Sequence, residues 1–399
     1  MAPRLPLFAA PHRGLFLIGV LQLLLVMTWW TLVQANLHAG GPALPEESVP
    51  LSLLHAPLMI YLVLPPLFFG FLLTVFPRWI GYPDTAPAAY LPVMLGFAAA
   101  SLLSWLAIAT GSSMLFALAL GAAGVGWLWG LGFMIWLLIR ERRDGKGPTW
   151  HGWSVAAAML FGFGTLLMTS GFFEDQDGNR LLLANKAGLM LFVLPVFFTV
   201  AHRMVPFFAG NVVENYVRWR PFWLLAVYWT ASLGFMFGFA AASSETMQAC
   251  ALILAALAAL IAVRWWPRAK APGLLWVLML SFAWAPVGYA LEAAAAAGYA
   301  LGRAPSHALT IGFAGGMIVA MVTRVTQGHS GRPLAMNAIA WIAFAGIQIA
   351  ALVRLWAGAQ QEAGSLLLIS SALFALTLLP WVARNLYIYL TRRADGKAG

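Results

Sequence analysis

A chain of 399 residues with 62% hydrophobic and 9% charged side chains lacks the polar residues to clothe a water-soluble globule. Its formal net charge of +10 arises from 23 Lys and Arg against 13 Asp and Glu, but these cations sit between apolar runs rather than on one basic face, which excludes nucleic acid as a partner. The single cysteine, Cys250, lies in an apolar run and excludes an intrachain disulfide or a CxxC motif.

A bilayer core about 30 Å thick takes roughly 20 helical residues. Apolar runs of that length, bounded by charge, Pro or Gly, predict twelve membrane-spanning helices. In chain order they cover 14–35, 50–76, 88–110, 112–139, 150–173, 181–204, 220–242, 244–263, 274–297, 305–325, 336–357 and 363–390. The first run is too long for a cleaved signal segment and has no small-residue cleavage site, so it reads as a retained helix. No stretch of domain size is left over, and residues 1–399 are expected to form one all-α, polytopic membrane domain.

Cations in short loops stay on the cytoplasmic side. Assigning end segments and alternate loops to one face puts 19 Lys and Arg there, from Arg4 and Arg13 through Arg78 to Lys397. The other face holds Arg180, Arg303 and Arg354, with Lys186 inside the sixth span. Both termini are therefore expected in the cytoplasm. One missed or invented span would swap every later loop and erase the bias. Pro65 and Pro66 in the second span, Pro195 in the sixth and Pro286 in the ninth should kink a helix or free a carbonyl. The two halves share no motif, and no matched pair of broken helices stands out, which weakens an inverted-repeat transporter plan.

Seven histidines are the best nitrogen donors in the chain. His38, His55 and His307 fall toward the outside, and His12, His151, His202 and His329 toward the cytoplasm. His55 and His307 sit at a similar shallow depth in the second and tenth spans, so facing helices would clamp a planar cofactor such as haem between them. The alternative is that each simply hydrogen-bonds at the interface. His202 stands at the end of the sixth span and His329 just after the tenth, beside Arg203, Arg324 and Arg332. That combination suits a metal, or the propionates of a haem, and also follows from positive-inside topology alone.

Lys186 and Glu292 are ionisable groups within spans, and so are candidates for a proton or anion path, for pairing with each other, or for snorkelling to the interface. Met59 and Met317 lie near the outer histidines but read more simply as packing. Ala308, Gly312, Gly315 and Gly316 allow close helix approach or leave space for a flat ring system. No phosphate loop, GxSxG elbow or HExxH pair is present.

The segment HALTIGFAGGMIVAMVTRVTQGHSGRPL, His307 to Leu334, resembles the signature of the NnrS family of bacterial membrane proteins. HAPLMIYLVLPPLFFGFLLTVFPRW, from His55 to Trp79, and HRMVPFF, from His202 to Phe208, agree with it. A common family form carries W-H-x-H-E-M in the second span, whereas this chain keeps His55 and has Pro57 at the second histidine position. The resemblance implies a protein of the bacterial inner membrane that contains haem, of b type, and copper, and is linked to denitrification and nitric oxide tolerance. The family's recurrent positions match His55, His307, Arg324, His329 and Arg332. The twelve-helix plan is also reminiscent of haem-copper oxidases and nitric oxide reductases, at the level of fold alone.

The expectation carried forward is haem on His55 and His307, with Arg324 and Arg332 on its propionates, and copper near His202, His329 and His12. Nitric oxide is the expected ligand, bound or reduced by an oxidoreductase whose electron donor lies outside the chain. A cofactor-free secondary transporter and a metal or haem maturation factor are the alternatives.

Overall fold

The computed structural model describes residues 6–46, 49–360 and 362–396. Arg4 and Lys397, counted above, lie outside them. Among the described residues there is no strand, and twelve helices are long and apolar enough to cross a membrane. They are α1 (Pro11–Ala39), α2 (Leu51–Trp79), α3 (Pro87–Thr110), α4 (Ser113–Arg143), α5 (Trp150–Asp175) and α6 (Gly178–Val212). The chain continues through α7 (Trp223–Ala240), α8 (Ser244–Trp265), α9 (Gly273–Ala296), α10 (Ala304–His329), α11 (Ala338–Gly358) and α12 (Gly364–Leu390). Helices are the expected solution because each satisfies its backbone groups internally, where lipid offers no partner.

Most boundaries fall within four residues of the sequence expectation, but α6 runs eight residues past 204. Arg203 marks no end there: Val205, Pro206, Phe208 and Ala209 continue the buried face toward the helix C-terminus. His202 is consequently inside its helix, and His329 is the last residue of α10 rather than a loop residue.

Burial separates the spans into two classes. In α2, α6 and α10, 89%, 78% and 83% of the most apolar stretch is buried, against 33–56% in the other nine. The nine form a rim around these three. Contacts run α12–α1–α3–α4–α5 and α7–α8–α9, with α11 on α12. The remaining rim joints are made by indole hydrogen bonds, from Trp229 Nε1 on α7 to Ser154 on α5 (2.8 Å) and from Trp284 Nε1 on α9 to Gln348 on α11 (2.5 Å). Trp105 Nε1 on α3 makes the corresponding bond to Gln22 on α1 (2.9 Å). The architecture thus repeats every four helices, with a core span second in each unit.

The three core spans also share an irregularity. Wider π-helical turns occupy Leu58–Val63, Gly188–Val193 and Ala308–Gly315. In α2 and α6 the widened turns precede Pro65 and Pro195, whose rings would otherwise press on the carbonyl four residues back. In α10 Gly315 and Gly316 stand at that place. The expectation that no irregular helices match is corrected here, because the repeat is by thirds and comparing halves misses it. α9 breaks at Ala283, three residues before Pro286, as that proline requires.

Small residues set the closest approaches. A Cβ added to Gly96 on α3 would lie 2.8 Å from the Gly126 Cα on α4, so only hydrogen fits there.

Candidate functional site

His55, Lys186 and His307 occupy the same place in their core spans, one to three residues before the widened turns and toward the outer face. The ring of His55 stacks on Trp30 of α1, with centroids 4.3 Å apart and planes 14° from parallel. Its Nδ1 is closed off from solvent and has no hydrogen-bond partner. His307 makes a 2.8 Å contact from Nδ1 to the carbonyl of Arg303, one turn back. A carbonyl only accepts, so Nδ1 carries the proton and Nε2 keeps its lone pair. The two imidazoles are close enough to interact electrostatically, and Arg354 of α11 lies within electrostatic range of both. The sequence reading put the two histidines at one level but missed Trp30 and Arg354. Arg354 carried a signal, being an ionisable group inside a predicted span.

The third position is filled differently. Lys186 donates to both carboxylate oxygens of Glu292 at 2.8 Å, with side chains 17% and 6% exposed, and Ser306 reaches the same carboxylate at 3.5 Å. Of the roles open to these charges, mutual pairing is the one found.

Gly312 and Gly316 do not leave room for a flat ring. A Cβ on Gly312 would meet the Trp284 indole at 2.4 Å, and one on Gly316 the Ser281 hydroxyl at 2.4 Å, so these glycines receive side chains of α9. Open space lies instead among α1, α2, α6 and α10. A small cleft of about 50 Å³ is lined by Phe68, Phe71, Phe197, Met317, Ile318 and Met321 with other apolar neighbours.

At the end that the bias of Lys and Arg assigns to the cytoplasm, the histidines form two pairs. His12 and His329 have ring centroids 4.6 Å apart, and Thr74 of α2 lies 3.4 Å from His12 Nδ1. His202 instead meets His151 of α5, Nδ1 to Nε2 at 2.8 Å, and its Nε2 faces the carbonyl of Pro221 at 3.2 Å. The expected grouping of His202 with His329 is not what the fold brings together. They stand at different depths, His202 ten residues before the end of α6 and His329 at the last residue of α10, and His202 is walled by Phe198, Phe222 and Trp265. Among the described residues, no three His, Cys, Asp or Glu side chains are grouped to hold a metal ion. Beside His329, the Arg78 guanidinium donates to Asp84 at 2.7 and 2.9 Å and holds that carboxyl below its usual range.

Arg324 stacks its guanidinium 3.6 Å from the centre of the Phe208 ring. It stands seventeen residues past His307 in α10, about 25 Å along the axis, with Arg332 beyond it. Neither can reach a group held at the outer histidines. The arginine within electrostatic range of both is Arg354.

The family model described as NnrS protein matches residues 6–393, nearly the whole chain. No curated protein matches the sequence.

Proposed function

The chain belongs to the NnrS family, and on that premise we propose that it binds haem and copper in the bacterial cytoplasmic membrane and binds or reduces nitric oxide during nitrosative stress or denitrification. Membership fits a membrane protein related to nitric oxide; the cofactors and the chemistry are our reading. One observation carries it. Two imidazoles at the same level of two core spans lie within electrostatic range of each other, one with a buried nitrogen that no protein group satisfies and the other with Nδ1 tied to a carbonyl.

Such a donor set fits haem. Buried polar atoms are normally partnered, so the orphaned Nδ1 of His55 asks for a ligand. The Arg303 carbonyl orients the His307 ring and raises the basicity of Nε2, as outer-shell acceptors do for metal-bound imidazoles. Arg354 supplies the positive charge that propionates need at this end. His55 and His307 would hold the haem, which would supply a redox-active iron for electron transfer or gas binding.

For copper, His12 and His329 offer two imidazoles on one spot, and His202 is occupied with His151 and Pro221. A two-nitrogen site suits copper by ligand type and leaves further positions to water or substrate. The wholly apolar cleft among the core spans admits a small uncharged gas and no ion. The charges a cofactor-free transporter would use, Lys186 and Glu292, neutralise each other.

Absorption and EPR spectra of the purified protein, with metal analysis, test the proposal. His55→Ala and His307→Ala should abolish the Soret band or change the spin state, while His12→Ala and His329→Ala lower copper and His202→Ala leaves it. Spectra unchanged in the first two variants would sink the haem assignment.

A further inference from the structure

Among the described residues, the cytoplasmic rim between α1, α12 and the turn after α10 gathers more arginines than carboxylates, with Arg13, Arg332, Arg384 and Arg393 around Asp395. Arg13 is 2% exposed and donates from Nη1 to the carbonyls of Tyr389 (3.2 Å) and Thr391 (2.9 Å), which close the C-terminus of α12. Arg332, in the turn, lies close enough to both Arg13 and Arg384 for their charges to repel. The Nη1 atoms of Arg332 and Arg384 are closed off from solvent, and neither has a hydrogen-bond partner. Asp395 packs beside Gly331 in the same turn, but it is held by Arg393 in a two-point contact at 2.9 and 2.6 Å.

Like charges held together with buried, unpartnered N–H groups are costly twice over, through mutual repulsion and through lost hydration. A fold keeps such an arrangement when an anion completes it. Paired guanidinium forks match the oxygens of phosphate bidentately. The depth is also right. Arg384 stands six residues before the end of α12, about 9 Å inside, and a long side chain rising toward the cytoplasm brings its head to the headgroup level. The cytoplasmic leaflet is where anionic headgroups and positive-inside loops meet.

We propose that Arg332 and Arg384, backed by Arg13, form an oxyanion site on the cytoplasmic rim whose ligand is a phosphate group, supplied by an anionic phospholipid or by inorganic phosphate. The site is independent of the haem reading, since it lies at the opposite end of α10 from His307.

The test is the thermal midpoint of the purified full-length protein in phosphatidylcholine nanodiscs, with phosphatidylglycerol substituted in or inorganic phosphate replacing chloride at constant ionic strength. A rise of several degrees with inorganic phosphate identifies a soluble anion, and a rise with phosphatidylglycerol alone identifies a headgroup. Arg332→Gln/Arg384→Gln should weaken the effective probe at least tenfold, with Arg332→Lys/Arg384→Lys between it and the wild type. Should the glutamine variant fail to fold, the wild-type comparison and the lysine variant still decide. A wild-type midpoint indifferent to both probes, or an equal rise in the glutamine variant, overturns the proposal. So does loss of a pigment from the glutamine variant with neither probe acting, because the occupant would then be a cofactor carboxylate.

Discussion

Lys186 places its ammonium 2.8 Å from both carboxylate oxygens of Glu292, joining α6 to α9 at the level where the other two core spans carry His55 and His307. The ion pair closes one of three equivalent positions and leaves two imidazoles at the others. Removing one partner strands a buried charge, which costs about 3–5 kcal/mol, whereas replacing both by apolar groups is often neutral. Lys186→Met and Glu292→Gln should each lower the unfolding temperature in detergent, and Lys186→Met/Glu292→Leu should return most of it. Single variants as stable as the wild type would show the pair to be dispensable.

Arg354, rather than Arg324 or Arg332, lies within electrostatic range of the outer histidines. Arg354→Gln should reduce bound haem several-fold, read as pigment per protein after purification, while Arg324→Gln retains it. Equal loss in the two variants would contradict a site confined to the outer end.

Gly312 receives the Trp284 indole, which in turn donates to Gln348. Gly312→Ala should cost about 1–3 kcal/mol through overpacking and disturb the α9–α11 joint. Gly132 and Gly164 meet nothing within 4 Å of an added Cβ, so alanine there should be neutral or stabilising by up to about 1 kcal/mol. Equal thermal midpoints for Gly312→Ala and Gly164→Ala would refute the contrast.

Tyr216, in the connection between α6 and α7, donates to the Trp265 carbonyl at 3.0 Å, and burial pushes its phenol up to about 12. Its folded value exceeds the unfolded one, near 10. The neutral phenol is thus favoured by folding, with its full contribution below about pH 10 and progressive loss as pH rises toward about 12. Denaturation profiles of wild type and Tyr216→Phe should converge across that window. Profiles that stay parallel would show the phenol exposed.

The site was legible in part. His55 and His307 were placed at one depth by counting residues within spans, and the geometry agrees. Depth also grouped His202 with His329, and there it misled, because α6 runs past its expected end and leaves His202 inside the helix while His329 stands at the end of α10. Arg324 and Arg332 were assigned to an outer haem on residue type, although the helical rise puts them at the other end. His151 was seen and given no role, yet it is the partner of His202.

Span number and the side assigned to each loop follow from the sequence alone, since apolar run length and the bias of Lys and Arg are local quantities set against a bilayer of fixed thickness. The arrangement by thirds, the pairing of His12 with His329 and of Lys186 with Glu292, and the unmatched arginines at the cytoplasmic rim were decided only by tertiary structure. Each depends on side chains from distant parts of the chain meeting across helix faces, and in spans that are apolar all round no periodicity marks which face will be buried.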